Sequence, residues 1–418
     1  MARSLEERRM IFSNRVSFWL AGFCLAAWAP MIPYVKDRFA LDEHDLGLLL
    51  LCVGIGSFIS MPTSGYLSSR FGCRLPIYAS AFVVAACLVG IPWITDINVL
   101  RVVLFVMGIA AVALDVISNI NAALAEQVSK RNIMSGLHGL YSVGGFCGAL
   151  SVTFLLSINL PLGWTGVYAA VLLVAGILLG GRYLFTTVHI PKDDSEATED
   201  SADGAAAGQG AASTEAKGSV LRHYFHPMVL FMGVMCFIMF MTEGSILDWS
   251  GVFLHSERGV SLEHAGYGYA AFAIAMTVCR LLGDRVVTTF GRSKVIIIGT
   301  LCIVCGFTLA VMVPSLITAL LGFVLIGIGA SNVVPQLVSI CAKIPEVPTH
   351  ISVTVVNAIG FTGVLIGPAL IGFLAHAITL PKTYLVQAFL VFCVTVMSIM
   401  LMRALKKKLP DAIGGKKH

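Results

Sequence analysis

The stretch Pro191–Ser219, which reads PKDDSEATEDSADGAAAGQGAASTEAKGS, divides the sequence into two parts. It has almost no bulky apolar side chain and carries seven acidic residues. A segment of this composition cannot bury enough apolar area to offset the entropy lost on ordering. The sequence therefore predicts a disordered linker over 191–222, between an N-terminal half (1–190) and a C-terminal half (223–405) that ends in a basic tail (406–418).

Both halves are far more apolar than a soluble protein. The chain of 418 residues is 57% hydrophobic and 12% charged, with a mean hydropathy of +0.88, whereas soluble domains carry about 25% charged residues. The apolar runs are continuous and about 20 residues long, as needed for helices that cross a bilayer, and they do not alternate as in a β-barrel. The composition therefore predicts an all-α integral membrane protein.

The basic and cysteine residues indicate no nucleic-acid, metal or redox function. The net charge of +5 arises from basic residues in the loops between apolar runs, which form no single basic face. Most of the eleven cysteines lie within the apolar runs, and no polar residue flanks the pair Cys302 and Cys305. We interpret that pair as ordinary helix residues and expect no cofactor.

The apolar pattern predicts six spanning segments in each half. They cover 13–35, 45–68, 75–94, 98–124, 134–158 and 163–187, and then 227–253, 263–287, 293–313, 315–341, 351–378 and 382–404. We interpret the first of them as a spanning helix and not as a removable signal. With the N-terminus inside, 23 of the 28 Lys and Arg residues fall on the inner side. The positive-inside rule then predicts a multi-pass protein of the cytoplasmic membrane of a bacterium, with both termini cytoplasmic.

The two halves repeat weakly in sequence. Three short patterns occur in register: Phe71-Gly72-Cys73-Arg74 with Phe290-Gly291-Arg292, Ser118-Asn119 with Ser331-Asn332, and the glycine pair 144/148 with the pair 363/367. Parallel six-helix repeats of this kind are typical of one large class of transporters.

The loop after segment two resembles the major facilitator superfamily, whose signature there is Gly-x-Leu-x-Asp-Arg-x-Gly-x-Arg. This chain has the same pattern over residues 65–74, with Ser69 in place of the usual Asp. Within the superfamily, the chain resembles the branch of fucose-permease-like and rhizopine-transport-like (MosC-like) bacterial proteins. The matching stretches include Ala29-Pro30-x-Ile32-Pro33, Leu114-Asp115-Val116 and Glu243-Gly244-x-x-x-Asp248-Trp249-Ser250. The resemblance implies twelve helices in two pseudo-symmetric bundles around a central cavity.

Two acids at membrane depth are the candidates for proton coupling. Asp115 lies near the middle of segment four, with Asn119 on the same helical face, and Glu243 lies near the middle of segment seven. Ionisable groups at that depth are costly and usually serve a cavity or a partner. The alternative is a structural carboxylate bonded to neighbouring helices, and for Asp248 and His138 the sequence leaves the role open.

Polar and aromatic side chains in the segments are the candidates for solute binding. These are Trp28, Asn119, Asn332, Gln336 and Asn357. Amides can bind a hydroxyl-rich solute through paired donors and acceptors, but they also join helices to each other. Five charged residues near the predicted cytoplasmic ends are the candidate gate: Arg70, Arg74, Arg280, Asp284 and Arg285. In this group, Arg280 and Asp284 lie four residues apart and are expected to form an ion pair.

The sequence therefore predicts a secondary transporter that moves a small polar solute, such as a sugar or cyclitol-like compound, together with protons. No Gly-x-x-x-x-Gly-Lys motif for ATP is present. A proton-driven exporter is the first alternative, and a receptor that binds without transport is a remote one. No motif of a membrane enzyme is present. We expect a monomer whose partners are its solute, protons and lipid.

Overall fold

The computed structural model describes residues 5–129, 133–186, 225–341, 344, 346–347 and 349–408. Within these residues the secondary structure is helical, and no strand occurs. The predicted linker 191–222 and the tail from residue 409 lie outside the described residues. The all-α membrane architecture predicted from composition is confirmed.

Among the described residues, seven α-helices lie in the N-terminal half and eight in the C-terminal half. The first set is α1 (Leu5–Trp28), α2 (Ile32–Arg38), α3 (Glu43–Phe71), α4 (Arg74–Gly90), α5 (Ile97–Ser129), α6 (Met134–Ser157) and α7 (Leu162–Gly180). The second set is α8 (Pro227–Arg258), α9 (Leu262–Ala265), α10 (Tyr267–Leu281), α11 (Gly283–Phe290), α12 (Arg292–Met312), α13 (Leu316–Cys341), α14 (Thr349–Ile378) and α15 (Leu380–Lys408). Short 3₁₀ turns at 29–31, 91–93 and 181–183 extend α1, α4 and α7.

Eleven helical stretches of the described chain are long and apolar enough to cross a membrane. They match eleven of the twelve predicted segments. The exception is the eighth segment, predicted as continuous over 263–287, which is divided into α9, α10 and α11. A side chain on Gly266 would clash with Thr153, and one on Gly283 would clash with Asn332. The divisions therefore occur where another helix approaches too closely for a side chain.

Glycines of the two predicted pairs form similar close helix contacts in the two halves. A β-carbon on Gly144 or Gly148 would overlap the carbonyl oxygen of Trp19 or Phe23, so α6 lies directly on α1. In the other half, a β-carbon on Gly363 would overlap the carbonyl of Phe237, so α14 lies on α8 in the same way. We call these two contacts the glycine seams. Small residues allow backbones to approach this closely within a membrane.

The loop pattern shared by the halves also has one backbone conformation. Gly72 has φ +71° and Gly291 has φ +80°, a region that side chains disfavour. Both glycines end one helix and start the next, α3 to α4 and α11 to α12. The repeat inferred from the sequence is thus visible in packing and in turn geometry.

The two halves meet along two pairs of helices, α3 with α14 and α6 with α10. Gly47 of α3 faces Gly372 of α14. Between α10 and α6, the Thr277 hydroxyl donates to the carbonyl of Ser142 over 3.2 Å, and the Tyr267 hydroxyl donates to the Ser157 hydroxyl over 3.3 Å.

The ion pairs that join the halves lie at one end of the molecule, among the residues that the structure describes. Asp37 Oδ2 lies 3.1 Å from His255 Nε2, and Asp42 Oδ2 lies 3.4 Å from His376 Nδ1. We call this end, where α1 leads into α2, the linked end. The predicted topology makes it external.

Candidate functional site

A cavity of about 90 Å³ lies between the two halves. Helices α1, α6, α8 and α10 surround it, so each half provides part of the wall. Three side chains give the wall its polar character at the centre: Tyr141 of α6, and Tyr269 and Arg280 of α10. The remaining lining is small or apolar, apart from the hydroxyls of Ser142 and Thr277, and includes Gly22, Leu25, Ala26, Gly145, Phe146, Leu247, Ala273 and Met276.

Arg280 is the basic residue of this lining and has partners on two helices. Its Nη2 lies 4.0 Å from Glu243 Oε2, and its Nε donates to the carbonyl of Ser331 over 3.2 Å. That carbonyl is available because Pro335, four residues on in α13, has no N–H to donate to it. A proline in one helix therefore helps to orient the guanidinium of another.

Glu243 has one engaged oxygen and one free oxygen. Oε2 faces Arg280 at 4.0 Å, while Oε1 is buried and accepts no hydrogen bond from any described residue. A buried carboxylate needs partners for both oxygens to offset its lost hydration. The free oxygen is therefore a point at which a proton or a donor group of a solute would be stabilised.

Asp115 is half-buried in α5 and has its partner one turn away on its own helix. The Asn119 amide donates to Asp115 Oδ1 over 3.1 Å and to the Asp115 carbonyl over 3.0 Å. The predicted placement of both residues on one helical face is confirmed. Because Asn119 is engaged locally, its amide is not free to bind a solute in this arrangement.

The two phenols of the cavity wall each lie within electrostatic reach of acids of their own half and of Arg280. Tyr141 interacts with the charges of Asp115 and Arg280, and Tyr269 interacts with those of Glu243, Asp248 and Arg280. The charges of one acid of α5 and two acids of α8 therefore affect tyrosines that line the same cavity. Sequence reasoning did not select either tyrosine, although a phenol inside an apolar segment is a signal that could have identified them.

A second polar cluster lies inside the C-terminal half, between α8 and α15. The Ser245 hydroxyl donates to Gln387 Oε1 over 2.8 Å, and Asp248 interacts electrostatically with Tyr384. The Gln387 amide nitrogen and the Tyr384 hydroxyl are both buried and have no hydrogen-bond partner among the described residues. Unpaired donors opposite a carboxylate are the arrangement in which a buried water is stable.

The other predicted solute-binding residues lie outside the cavity lining. The Asn332 amide donates to the carbonyl of Cys279 over 3.0 Å and holds α13 to the end of α10. Gln336 Oε1 accepts from Arg292 Nε over 3.2 Å. Trp28 is 2% exposed, and its buried indole N–H has no hydrogen-bond partner in the described part of the chain. Asn357 is half-buried on α14.

The predicted gate residues are dispersed. Arg70 donates to the Tyr66 hydroxyl over 3.2 Å, Arg74 lies over the ring of Tyr78, and Arg285 is exposed. The side chain of Asp284 lies outside the described residues. Arg280 lies in the last turn of α10, where it lines the cavity and faces Glu243.

Comparison with protein families gives the identity of this architecture. The model of the Major Facilitator Superfamily matches residues 16–350 and 257–417. The chain belongs to the major facilitator superfamily. Within this superfamily it is 40% identical over 373 residues to an uncharacterized MFS-type transporter of Yersinia pestis, covering 89% of this chain and 90% of that protein.

The relatives also confirm the branch predicted from the sequence. The chain is 31% identical over 370 residues to the membrane protein MosC of Rhizobium meliloti, covering 88% of this chain and 84% of MosC. Among solved structures, a variant of the nucleoside transporter NupG superposes with a TM-score of 0.73 at 14% identity, over 94% of this chain and 99% of that one. At that identity the match shows the shared fold alone.

Proposed function

We propose that this membrane transporter of the major facilitator superfamily moves a small polar solute together with protons. The solute would be sugar-like or cyclitol-like, and the cavity between the halves would open to each side of the membrane in turn. The observation that carries the proposal is the position of Glu243: one carboxylate oxygen faces Arg280, which lines the cavity, and the other is buried with no hydrogen-bond partner among the described residues.

A proton on Glu243 would change what Arg280 can bind. In the unprotonated state the carboxylate and the guanidinium attract each other across 4.0 Å. Once Glu243 is neutral, the guanidinium loses that partner and its N–H groups are available for hydroxyl or other acceptor oxygens of a solute. Proton uptake and solute binding would then favour each other at one cavity, as symport requires.

Asp115 supports the proposal from the other half. It acts electrostatically on Tyr141, which lines the same cavity, and its partner Asn119 is a neutral amide that does not cancel its charge. Three carboxylates thus act electrostatically on the tyrosines of the cavity wall, which itself contributes the guanidinium of Arg280. Positive charge is favoured there, and protons can supply it.

The test is uptake by proteoliposomes that contain the purified protein. A thermal-shift screen with sugars, polyols, cyclitols, amino acids and organic cations first identifies a ligand, because a bound ligand raises the melting temperature by mass action. Uptake of that ligand is then measured with the exterior acidic, with no gradient and with the interior acidic.

Symport predicts accumulation above equilibrium only when the exterior is acidic. We expect Glu243→Gln and Asp115→Asn to abolish accumulation, while Glu257→Gln, which alters an exposed carboxylate near the end of α8, leaves it unchanged. Accumulation with the interior acidic would instead identify an exporter. Equilibration that ignores the gradient would show that no proton is coupled.

A further inference from the structure

We infer that Asp42, His44, Asp45 and His376 form a binding site for a divalent transition-metal ion such as Zn²⁺ at the linked end. Three of these residues belong to the N-terminal half, and His376 belongs to the C-terminal half. The site lies apart from the central cavity and would join the halves through one ion.

Three of the four donor residues form a mutual cluster, and the fourth lies beside one of them. Asp42, His44 and Asp45 each place one ligand atom within 4.8 Å of the other two. His376 Nδ1 lies 3.4 Å from Asp42 Oδ2, and His44 Nδ1 lies 3.3 Å from Asp45 Oδ1. Two imidazoles and two carboxylates are a common ligand set for zinc.

The distances between the histidine nitrogens and the carboxylate oxygens fit two ligands of one metal ion better than a strong ion pair. Charge-assisted N–H···O bonds are typically about 2.7–2.9 Å long, and the Lys36–Glu43 pair nearby has that length, 2.9 Å. Ligands about 2.0–2.1 Å from a tetrahedral zinc ion lie about 3.3–3.4 Å from each other. The two histidine–carboxylate spacings agree with that second distance.

The surroundings hold the ligands in place without occupying their metal-facing atoms. Asp42 Oδ1 caps α3 by accepting from the Asp45 backbone N–H over 2.8 Å, which leaves Oδ2 toward His376. The His44 ring lies 5.0 Å from the ring of Phe373 and 5.8 Å from that of His376. All four side chains are about half exposed, so an ion from solution can reach them.

The site depends on the contact between the two halves. Gly372 of α14 packs against the Glu43 carbonyl and Gly47 of α3, and this close approach brings His376 next to the three ligands of the other half. A movement that parts α3 from α14 would remove one of four ligands. The ion would therefore stabilise the conformation in which the linked end is held together.

The first measurement is the melting temperature of the detergent-purified protein, with any polyhistidine tag removed, in ZnCl₂ and in MgCl₂. We expect Zn²⁺ to raise the melting temperature and Mg²⁺ to leave it unchanged, since Mg²⁺ prefers an octahedral shell of oxygens. His376→Ala and His44→Ala are each expected to weaken zinc binding by roughly tenfold or more, because each removes a ligand.

The matched control is His264→Ala. This histidine bonds to Ser261 at the same end of the molecule but outside the cluster, and its variant should retain the full zinc effect. Each variant is compared with itself with and without Zn²⁺, so a change in basal stability cancels, and His376→Gln provides a milder substitution if His376→Ala does not fold. No zinc effect on the wild type, or an equal effect in the His44 and His376 variants, would overturn the inference.

Zinc outside the vesicle should also slow solute uptake by the wild type and not by His376→Ala. That part rests on the proposed function, whereas metal binding does not. If transport fails altogether, the thermal shift still decides the metal site.

Discussion

The two halves of the molecule share a framework but differ in their polar chemistry. Each has a glycine seam, α6 on α1 and α14 on α8, and a positive-φ glycine at the equivalent turn. The candidate coupling acids of the two halves have different partners. Asp115 is satisfied within its own helix by Asn119, whereas Glu243 reaches across to Arg280 on another helix and keeps one oxygen free.

The difference shows which features repeat because they build the fold and which have diverged for function. A seam needs only the absence of a side chain, so both halves can use the same solution. A proton-coupling carboxylate needs a partner that can move away during the transport cycle. A partner on a separate helix can move away when the helices shift, whereas a partner one turn away on the same helix stays close. The C-terminal half is therefore the better candidate for the changing part of the cycle.

The largest effect is expected from substitutions that place a side chain in a glycine seam. Gly144→Val and Gly363→Val each place side-chain atoms on a backbone carbonyl, of Trp19 or Phe237, that cannot move aside. Each variant should lose about 3 kcal/mol of stability, the upper end of the usual cost of overpacking, measured as thermal unfolding in detergent. Gly65→Val is the control because a β-carbon there meets nothing within 4 Å. A loss in one half alone would contradict the equivalence of the seams.

The next effect concerns the ion pair of the C-terminal half. Arg280→Ala leaves Glu243 charged and partly buried without its partner, which should cost about 2 kcal/mol after allowing for the 4.0 Å separation and the partial exposure of both groups. The double variant Arg280→Ala/Glu243→Gln should recover most of that loss in the same melting experiment. Additive losses would show that the two side chains do not interact.

A smaller effect distinguishes the two asparagines that the repeat makes equivalent. Asn332→Ala removes the bond to the Cys279 carbonyl and should lower stability by about 1 kcal/mol while leaving proton-driven uptake per folded molecule unchanged. Asn119→Ala removes the donor to Asp115 and should alter the pH profile of uptake with less effect on melting. If Asn332→Ala instead alters the pH profile of uptake and Asn119→Ala mainly lowers the melting temperature, the functional amide lies in the C-terminal half.

The smallest effect is expected where the halves are tied together. Asp37 pairs with His255 across 3.1 Å, and the pair is charged on both sides only when the histidine is protonated. Asp37→Asn should therefore destabilise by less than about 1 kcal/mol, because both side chains are partly exposed. Melting temperatures measure this, with Glu257→Gln as the comparison. A loss as large as that of Arg280→Ala would show that this contact contributes more than an exposed ion pair.

Much of the framework was predictable because it depends on local pattern. The apolar runs gave eleven of the twelve spans, and the spacing of Gly144, Gly148, Gly363 and Gly367 predicted close helix contacts. The division of the eighth segment was not predictable. Its apolar pattern continues through Gly266 and Gly283, and the residues that crowd those glycines, Thr153 and Asn332, lie far away in sequence.

The candidate site was predictable only where its partners share a helix. Asp115 and Asn119 are four residues apart, and helical periodicity places them together. The same reasoning predicted a pair between Arg280 and Asp284, one turn away, and the side chain of Asp284 lies outside the described residues. The approach of Arg280 to Glu243 of α8 was not predicted. Likewise, Arg280 donates to a carbonyl of α13 that Pro335 leaves without a helical partner. This contact depends on how α10 is aligned along α13, and that alignment cannot be deduced from a single sequence.

The divided eighth segment has a consequence for the lipid around it. The 15 residues of α10 rise only about 22 Å, less than the roughly 30 Å of a hydrocarbon core, so α10 alone is too short to cross it. The backbone is nevertheless paired across the bend after Leu281: Leu282 N–H donates to the Val278 carbonyl, Val286 N–H donates to that of Leu282, and Asn332 covers that of Cys279. These backbone groups therefore need no water as a partner within a bilayer, and Arg280 lies within two residues of the bend.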